Sequence, residues 1–167
     1  RNGIDLSEWS SVQGRESKVP YAIWFGRIHP DKGLHHAINA CKKAGIKLKV
    51  AGGIADKKYF KSKIEPILND DIELLGLLDR AKLNNLISNA AVCLVTPTWQ
   101  EPFGLVIAEA MATGTPVAGF KMGALPELID DNCGRLVDYP DTGALAEAIF
   151  ETLTLNRELV SRQARKQ

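Results

Sequence analysis

The sequence predicts an α/β fold, a doubly wound, Rossmann-like parallel sheet with helices on both faces. Short apolar runs alternate along the chain with helical patterns of about 10–12 residues, the signature of βαβ units. Most of the runs end at a glycine or a proline, and the chemically unusual residues cluster just beyond those ends.

The first run, Tyr21–Phe25, reads as a buried strand and stops at Gly26. A helical pattern follows from about Leu34 to Ala44. Leu48–Ala51 is the second strand, closed by Gly52-Gly53, and a polar amphipathic stretch runs from about Asp56 to Leu68. Ile72–Leu75 is the third strand, ending at Gly76; a helix from about Ala81 to Ala90 leads to the fourth, Val92–Thr96, which stops at Pro97. A helix near Gly104–Thr113 precedes the fifth strand, Pro116–Gly119. A short helical piece at Leu125–Ile129 leads to a strand at Gly134–Val137, and a final helix spans Asp141 to about Leu155, followed by a polar end. Right-handed crossovers wind such units into one open sheet.

Composition narrows the function. The chain has 167 residues, 45% hydrophobic and 25% charged, close to one ordinary domain. Lys+Arg total 21 against 20 for Asp+Glu, a net charge of +1 that predicts no bulk attraction to nucleic acid or membrane. Cys41, Cys93 and Cys133 stand far apart with no CxxC pair, so a disulfide framework or zinc knuckle is not indicated. Cys93 in its apolar run reads as a small buried hydrophobe, and a reducing, cytoplasmic setting fits. No stretch approaches the ~18 apolar residues of a membrane span. The opening Arg1-Asn2-Gly3-Ile4-Asp5 lacks both an initiator methionine and a signal peptide, so residues 1–167 are expected to be one domain cut from a longer protein.

In open parallel sheets ligands bind beyond the carboxyl ends of the strands. The loops after the five main strands therefore share one rim. In Gly26-Arg27-Ile28-His29-Pro30-Asp31-Lys32-Gly33 two cations and two glycines stand before a helix N-terminus, an arrangement suited to an anion. The plainer reading is an exposed turn with solvated basic residues. Neither GxxxxGK[ST] nor GxGxxG occurs, which argues against a P-loop phosphotransferase or a dinucleotide dehydrogenase.

The second constellation is Pro97-Thr98-Trp99-Gln100-Glu101-Pro102-Phe103-Gly104-Leu105-Val106-Ile107-Ala108-Glu109-Ala110-Met111-Ala112-Thr113-Gly114. Glu109 lies on a helix that is apolar nearly all round and hence buried, so its carboxylate needs partners. A core arginine, backbone donors or the neighbouring hydroxyls of a ribose would serve. Glu101 precedes the helix and could cap it or face solvent. The N–H groups of Phe103, Gly104 and Leu105 open the helix and form a second anion cradle on the same rim.

Glu101-x7-Glu109, within Pro-Phe-Gly-Leu-Val-x-x-Glu-Ala-Met-Ala-x-Gly-x-Pro-Val, resembles the signature of retaining GT-B glycosyltransferases of family 4, the group 1 glycosyl transferases. Gly26-Arg27 with Lys32-Gly33 is similar to that family's diphosphate-binding segment. Gly123-Ala124-Leu125-Pro126-Glu127-Leu128-Ile129 and Asn132-x-Gly134-x-Leu136-Val137 resemble the segments that follow, and Asn2-Gly3-Ile4-Asp5 looks like the one just after the interdomain linker. The resemblance implies the C-terminal, donor-binding half of a two-domain GT-B enzyme acting on a nucleotide-activated sugar. By it Arg27 and Lys32 would hold the diphosphate and stabilise charge on the leaving nucleotide. Glu109 would bind the ribose, Glu101 the sugar hydroxyls, and Phe103–Leu105 the distal phosphate or sugar, while Leu78 would face the base through its backbone. Arg27, Lys32 and Glu101 are thus the catalytic candidates. The N-terminal half, which in the family carries the acceptor site and a catalytic histidine, has no counterpart here, so transfer by this chain alone is not expected.

No cofactor is implied, and the cations take the role a metal would play. His35 and His36 adjoin on a helix and are expected to point apart, which gives no i, i+4 metal pair; His29 reads as surface or as a helper to an anion. Trp24 and Phe25 read as packing, and Trp99 could also border a sugar pocket. A nucleotide-sugar epimerase of similar architecture and a stand-alone nucleotide-sugar-binding module are the competing readings; the paired glutamates argue against the epimerase. The full-length enzyme could sit peripherally at a membrane.

Overall fold

A computed structural model describes residues 19–100 and 105–166. Its sheet has six parallel strands: β1 (Tyr21–Phe25), β2 (Lys47–Ala51), β3 (Ile72–Gly76), β4 (Val92–Val95), β5 (Val117–Phe120) and β6 (Gly134–Val137). They lie in the order β3-β2-β1-β4-β5-β6. The chain winds outward from β1 to one edge, then restarts at β4 and winds to the other. The switch point between β1 and β4 is where such sheets open a crevice at their carboxyl ends.

β1 is central, pairing with β2 from Tyr21↔Lys47 to Phe25↔Ala51 and with β4 at Ala22↔Val92 and Ile23↔Cys93. All five of its residues are buried because their alternate side chains feed two cores. Ala22 and Trp24 join Leu48, Val50 and Leu94 beneath α1 (Leu34–Ala44) and α6 (Thr142–Thr152). Tyr21, Ile23 and Phe25 face α3 (Arg80–Ser88), α4 (Leu105–Ala112) and α7 (Arg157–Arg165). On α1 the buried residues Leu34, Ala37, Ile38 and Cys41 follow helical spacing, and each large one contributes roughly 1.5–3 kcal/mol relative to exposure. Gly45 ends that helix in the left-handed region at φ 70°, its N–H returning to the carbonyls of Cys41 and Lys42. Asp79 and Asp141 cap α3 and α6 by accepting from the N–H groups of Lys82 and Ala144.

The fold is the predicted one, with four local corrections. β4 stops at Val95, because Thr96 turns its hydroxyl to the carbonyls of Lys32 and Gly33. β5 is shifted one residue onward to Phe120, with Pro116 contributing only its carbonyl, an acceptor for Cys93 N–H at 2.8 Å. The amphipathic stretch after β2 is an irregular helical run: a single turn, α2 (Lys57–Tyr59), then a π turn at Phe60–Ile64 and a 3-10 turn at Glu65–Ile67. The polar end is not a tail. It forms α7, capped by Asn156 and docked through Val160, while Arg157 donates to the carbonyls of Ser88 (2.7 Å) and Ala90 (3.0 Å) and to Thr115 Oγ1 (3.2 Å). A short helix, α5 (Leu125–Leu128), connects β5 to β6.

Candidate functional site

The rim is assembled by three sets of hydrogen bonds that run between loops. Behind β1, Ile28 N–H donates to Gly53 O at 3.0 Å and Ile28 O accepts from Ala55 and Asp56, so the β1 and β2 loops travel together. Gly52 permits this: its φ is 143°, and a Cβ there would lie 1.8 Å from Gly26 O. Toward β4, Thr98 N–H donates to Asp31 O at 3.0 Å and Thr98 Oγ1 to Pro30 O at 2.9 Å. Between the loops after β4 and β5, Gln100 Oε1 accepts Gly123 N–H at 2.7 Å.

Arg27 is exposed in the first loop and Lys32 is half-buried in the 3-10 turn Pro30–Lys32. His29 caps that turn by accepting Asp31 N–H at Nδ1, 3.2 Å away, with the Asp31 carboxylate at 3.6 Å. Its ring therefore belongs to the turn. Gly33, at φ 62°, then starts α1 with no side-chain cap, so the positive end of the α1 dipole opens on the loop that carries both cations.

Glu109 sits on α4 among buried Ile107, Ala110 and Met111, with its side chain 20% exposed. Among the described residues its ionic partner is Arg80 at the start of α3, Nη1 to Oε2 3.9 Å, with Arg80 57% exposed. That separation is too long for a hydrogen bond and the pair is solvent-screened, worth at most about 1 kcal/mol. Burial accordingly raises the Glu109 pKa above the usual carboxylate range, with Arg80 opposing. The pair also brings the start of α3, just after half-buried Leu78, toward Glu109. Leu105 opens α4. Glu101, Phe103 and Gly104 lie outside the described residues.

The histidines do not point apart. The His35 and His36 rings stack with centroids 3.9 Å apart, because His35 reaches Tyr59 Oη through Nδ1 at 2.7 Å while His36 wedges edge-on between Phe120 and Tyr139. Burial, reinforced by His35, pushes the His36 pKa down to about 4. Among the described residues no three His, Cys, Asp or Glu side chains gather as a metal site. Trp24 and Phe25 are buried in the core, and Trp99 is 47% exposed. All three cysteines are free and buried. Two positioning contacts escaped the sequence reading, those of Thr96 and Thr98 against the Lys32 turn; for Glu109 an arginine was among the alternatives, but Arg80, exposed rather than in the core, was not singled out. No local signal marks them, since each partner is distant in the chain.

The pattern of the family described as glycosyl transferases group 1 matches residues 5–167. An alpha-maltose-1-phosphate synthase from Mycobacterium tuberculosis is 30% identical over 175 residues, covering 89% of this chain and 45% of the synthase. The chain thus spans less than half the length of that relative. A sucrose-phosphate synthase structure from Thermosynechococcus elongatus superposes with a TM-score of 0.83 at 28% identity, over 98% of this chain and 46% of that one. The C-terminal domain of a group 1 family glycosyl transferase from Francisella tularensis superposes with a TM-score of 0.73 at 26% identity, over 98% of this chain and 93% of that domain. With the family pattern matched over residues 5–167 and a six-stranded parallel sheet that superposes on such domains, the chain belongs to the group 1 glycosyl transferases and is built as the Rossmann-like C-terminal half of a GT-B fold.

Proposed function

We propose that this chain binds the nucleotide-sugar donor of a retaining glycosyltransferase, in the crevice beyond the carboxyl ends of β1 and β4. One observation carries the reading. The loop bearing Arg27 and Lys32 is hydrogen-bonded onto the segment that leads to Glu101, while Glu109 is drawn toward the Leu78–Arg80 stretch. In this reading the anion-binding and hydroxyl-binding groups serve one donor, whose own order is sugar, diphosphate, ribose and base.

Arg27, Lys32 and the α1 dipole hold the diphosphate. As the bond from the anomeric carbon to the phosphate oxygen breaks, its electron pair passes to the diphosphate, and the same cations stabilise the charge that develops. Glu109 accepts the ribose hydroxyls, Glu101 the sugar hydroxyls, and the N–H groups at Phe103, Gly104 and Leu105 meet the distal phosphate or sugar. Leu78 meets the base through its backbone. With cationic side chains in this role the chemistry runs without a metal or other cofactor. The acceptor is supplied by a second, N-terminal domain, for which this rim is the opposing wall. Free buried Cys41, Cys93 and Cys133 suit a cytoplasmic setting, and no helix among the described residues is long and apolar enough to cross a membrane.

Calorimetric titration with UDP, GDP and ADP tests the reading. One of them should bind saturably at about 10 μM–1 mM, roughly 4–7 kcal/mol. Absence of binding by all three would overturn it.

A further inference from the structure

The turn that carries Lys32 is gripped by hydroxyls from the far side of the switch point. Thr96 is 1% exposed, and its Oγ1 accepts Trp24 Nε1 at 3.2 Å and lies 2.9 Å from Gly33 O and 3.0 Å from Lys32 O, between which its single proton is shared. Thr98 holds Pro30 O with its hydroxyl at 2.9 Å and Asp31 O with its N–H at 3.0 Å. Four consecutive carbonyls, Pro30 to Gly33, therefore end on two threonines. The fit is close, since a Cβ on Gly33 would stand 2.1 Å from Thr96 O and 3.0 Å from Thr98 Cγ2.

A carbonyl held by a donor fixes its peptide plane, and a fixed run of planes fixes the Cα–Cβ direction of the residue within it. We infer that Thr96 and Thr98 are positioning residues, which aim Lys32 and the first turn of α1 at the diphosphate of the donor. The inference rests on the diphosphate reading of Lys32 proposed above. Catalysis can lose about a hundredfold to a misplacement near 1 Å, and losing the Thr98 hydroxyl bond would let the Lys32 turn shift. Thr98 suits the test better than Thr96, because it is half-buried and leaves the Trp24 bond intact.

The experiment compares Thr98→Val, which keeps the shape and loses the hydroxyl, with Thr98→Ser, which keeps the hydroxyl. Lys32→Ala serves as the reference. Affinities are measured for whichever pair the chain binds, UDP and UMP, GDP and GMP or ADP and AMP, alongside Tm. Thr98→Val should weaken the diphosphate about tenfold and the monophosphate less than twofold, with Thr98→Ser within twofold of the unsubstituted chain on both. Thr98→Ala is read by the same criterion if the valine variant does not fold. If Lys32→Ala is selective for the diphosphate and Thr98→Val is not, the inference fails and the reading of Lys32 stands. Equal losses on both nucleotides in Thr98→Val would make Thr98 a merely structural residue. If Lys32→Ala itself shows no selectivity, the diphosphate reading falls and the inference with it.

Discussion

Replacing Glu109 by glutamine should separate binding from stability, and in opposite directions. The carboxylate is 20% exposed, and its ion pair with the exposed Arg80 is loose at 3.9 Å. Burial raises its pKa more than Arg80 lowers it. For an acid, a folded pKa above the unfolded one means that the folded state holds its proton longer. Stability is then lost as pH rises from the ordinary carboxylate value, about 4.3, through the raised one. Glutamine has no charge to bury, so at pH 7 the Glu109→Gln chain should melt at or above the temperature of the unsubstituted chain, and that segment of the pH dependence should flatten. Nucleotide binding should suffer, because charge-assisted hydrogen bonds to ribose contribute about 1.5–3 kcal/mol, a factor of about 10–150 in Kd. The assays are calorimetric titration with the tightest of UDP, GDP and ADP, and thermal melts from pH 4 to 8. Unchanged affinity would remove Glu109 from the ribose site; a several-degree fall in Tm would show that the carboxylate is a structural residue.

Gly52→Ala should cost more than about 3 kcal/mol, since a positive φ and contact with Gly26 O at 1.8 Å act together, whereas Gly45→Ala, at φ 70° with open space around its Cβ, should cost about 1–2 kcal/mol; denaturant melts would rank the two. Nucleoside diphosphate should bind equally in EDTA and in magnesium, and a clear requirement for the ion would refute the cation clamp of Arg27 and Lys32. A polypeptide of residues 1–167 alone should bind donor without transferring sugar, because one rim presents one of two reactants. Incorporation of label from nucleotide sugars into extract acceptors, above a Glu109→Gln control, would contradict that.

Where the chain buries apolar side chains in regular spacing, its sequence announced the element. Leu34, Ala37, Ile38 and Cys41 marked α1, and the apolar runs marked every strand to within a residue or two. Helix α7 was missed for the converse reason. Its anchoring comes chiefly from Val160, from Ser161 to Ala112 O and from the guanidinium of Arg157 on distant carbonyls, none of which produces an apolar stripe. The same physics divides the site. Arg27, Lys32 and Glu109 stand out because charges beside glycines or within an apolar helix are locally improbable. Thr96 and Thr98 look like any strand end, because what they do is decided by the carbonyls of Pro30 to Gly33, more than 60 positions earlier. The stacking of His35 on His36 follows from Tyr59, Phe120 and Tyr139, which only the folded chain brings together.

Arg157 closes on Ser88, Ala90 and Thr115, at the amino ends of β4 and β5. The crevice opens at the opposite pole of the same strands. Loops at one pole can therefore be rewritten while the bolts that hold the sheet closed stay untouched at the other. Substitutions at the two poles are separated by the length of the strands, so their energetic effects should sum. Stabilising the amino-end pole first would give the crevice a wider margin in which to evolve.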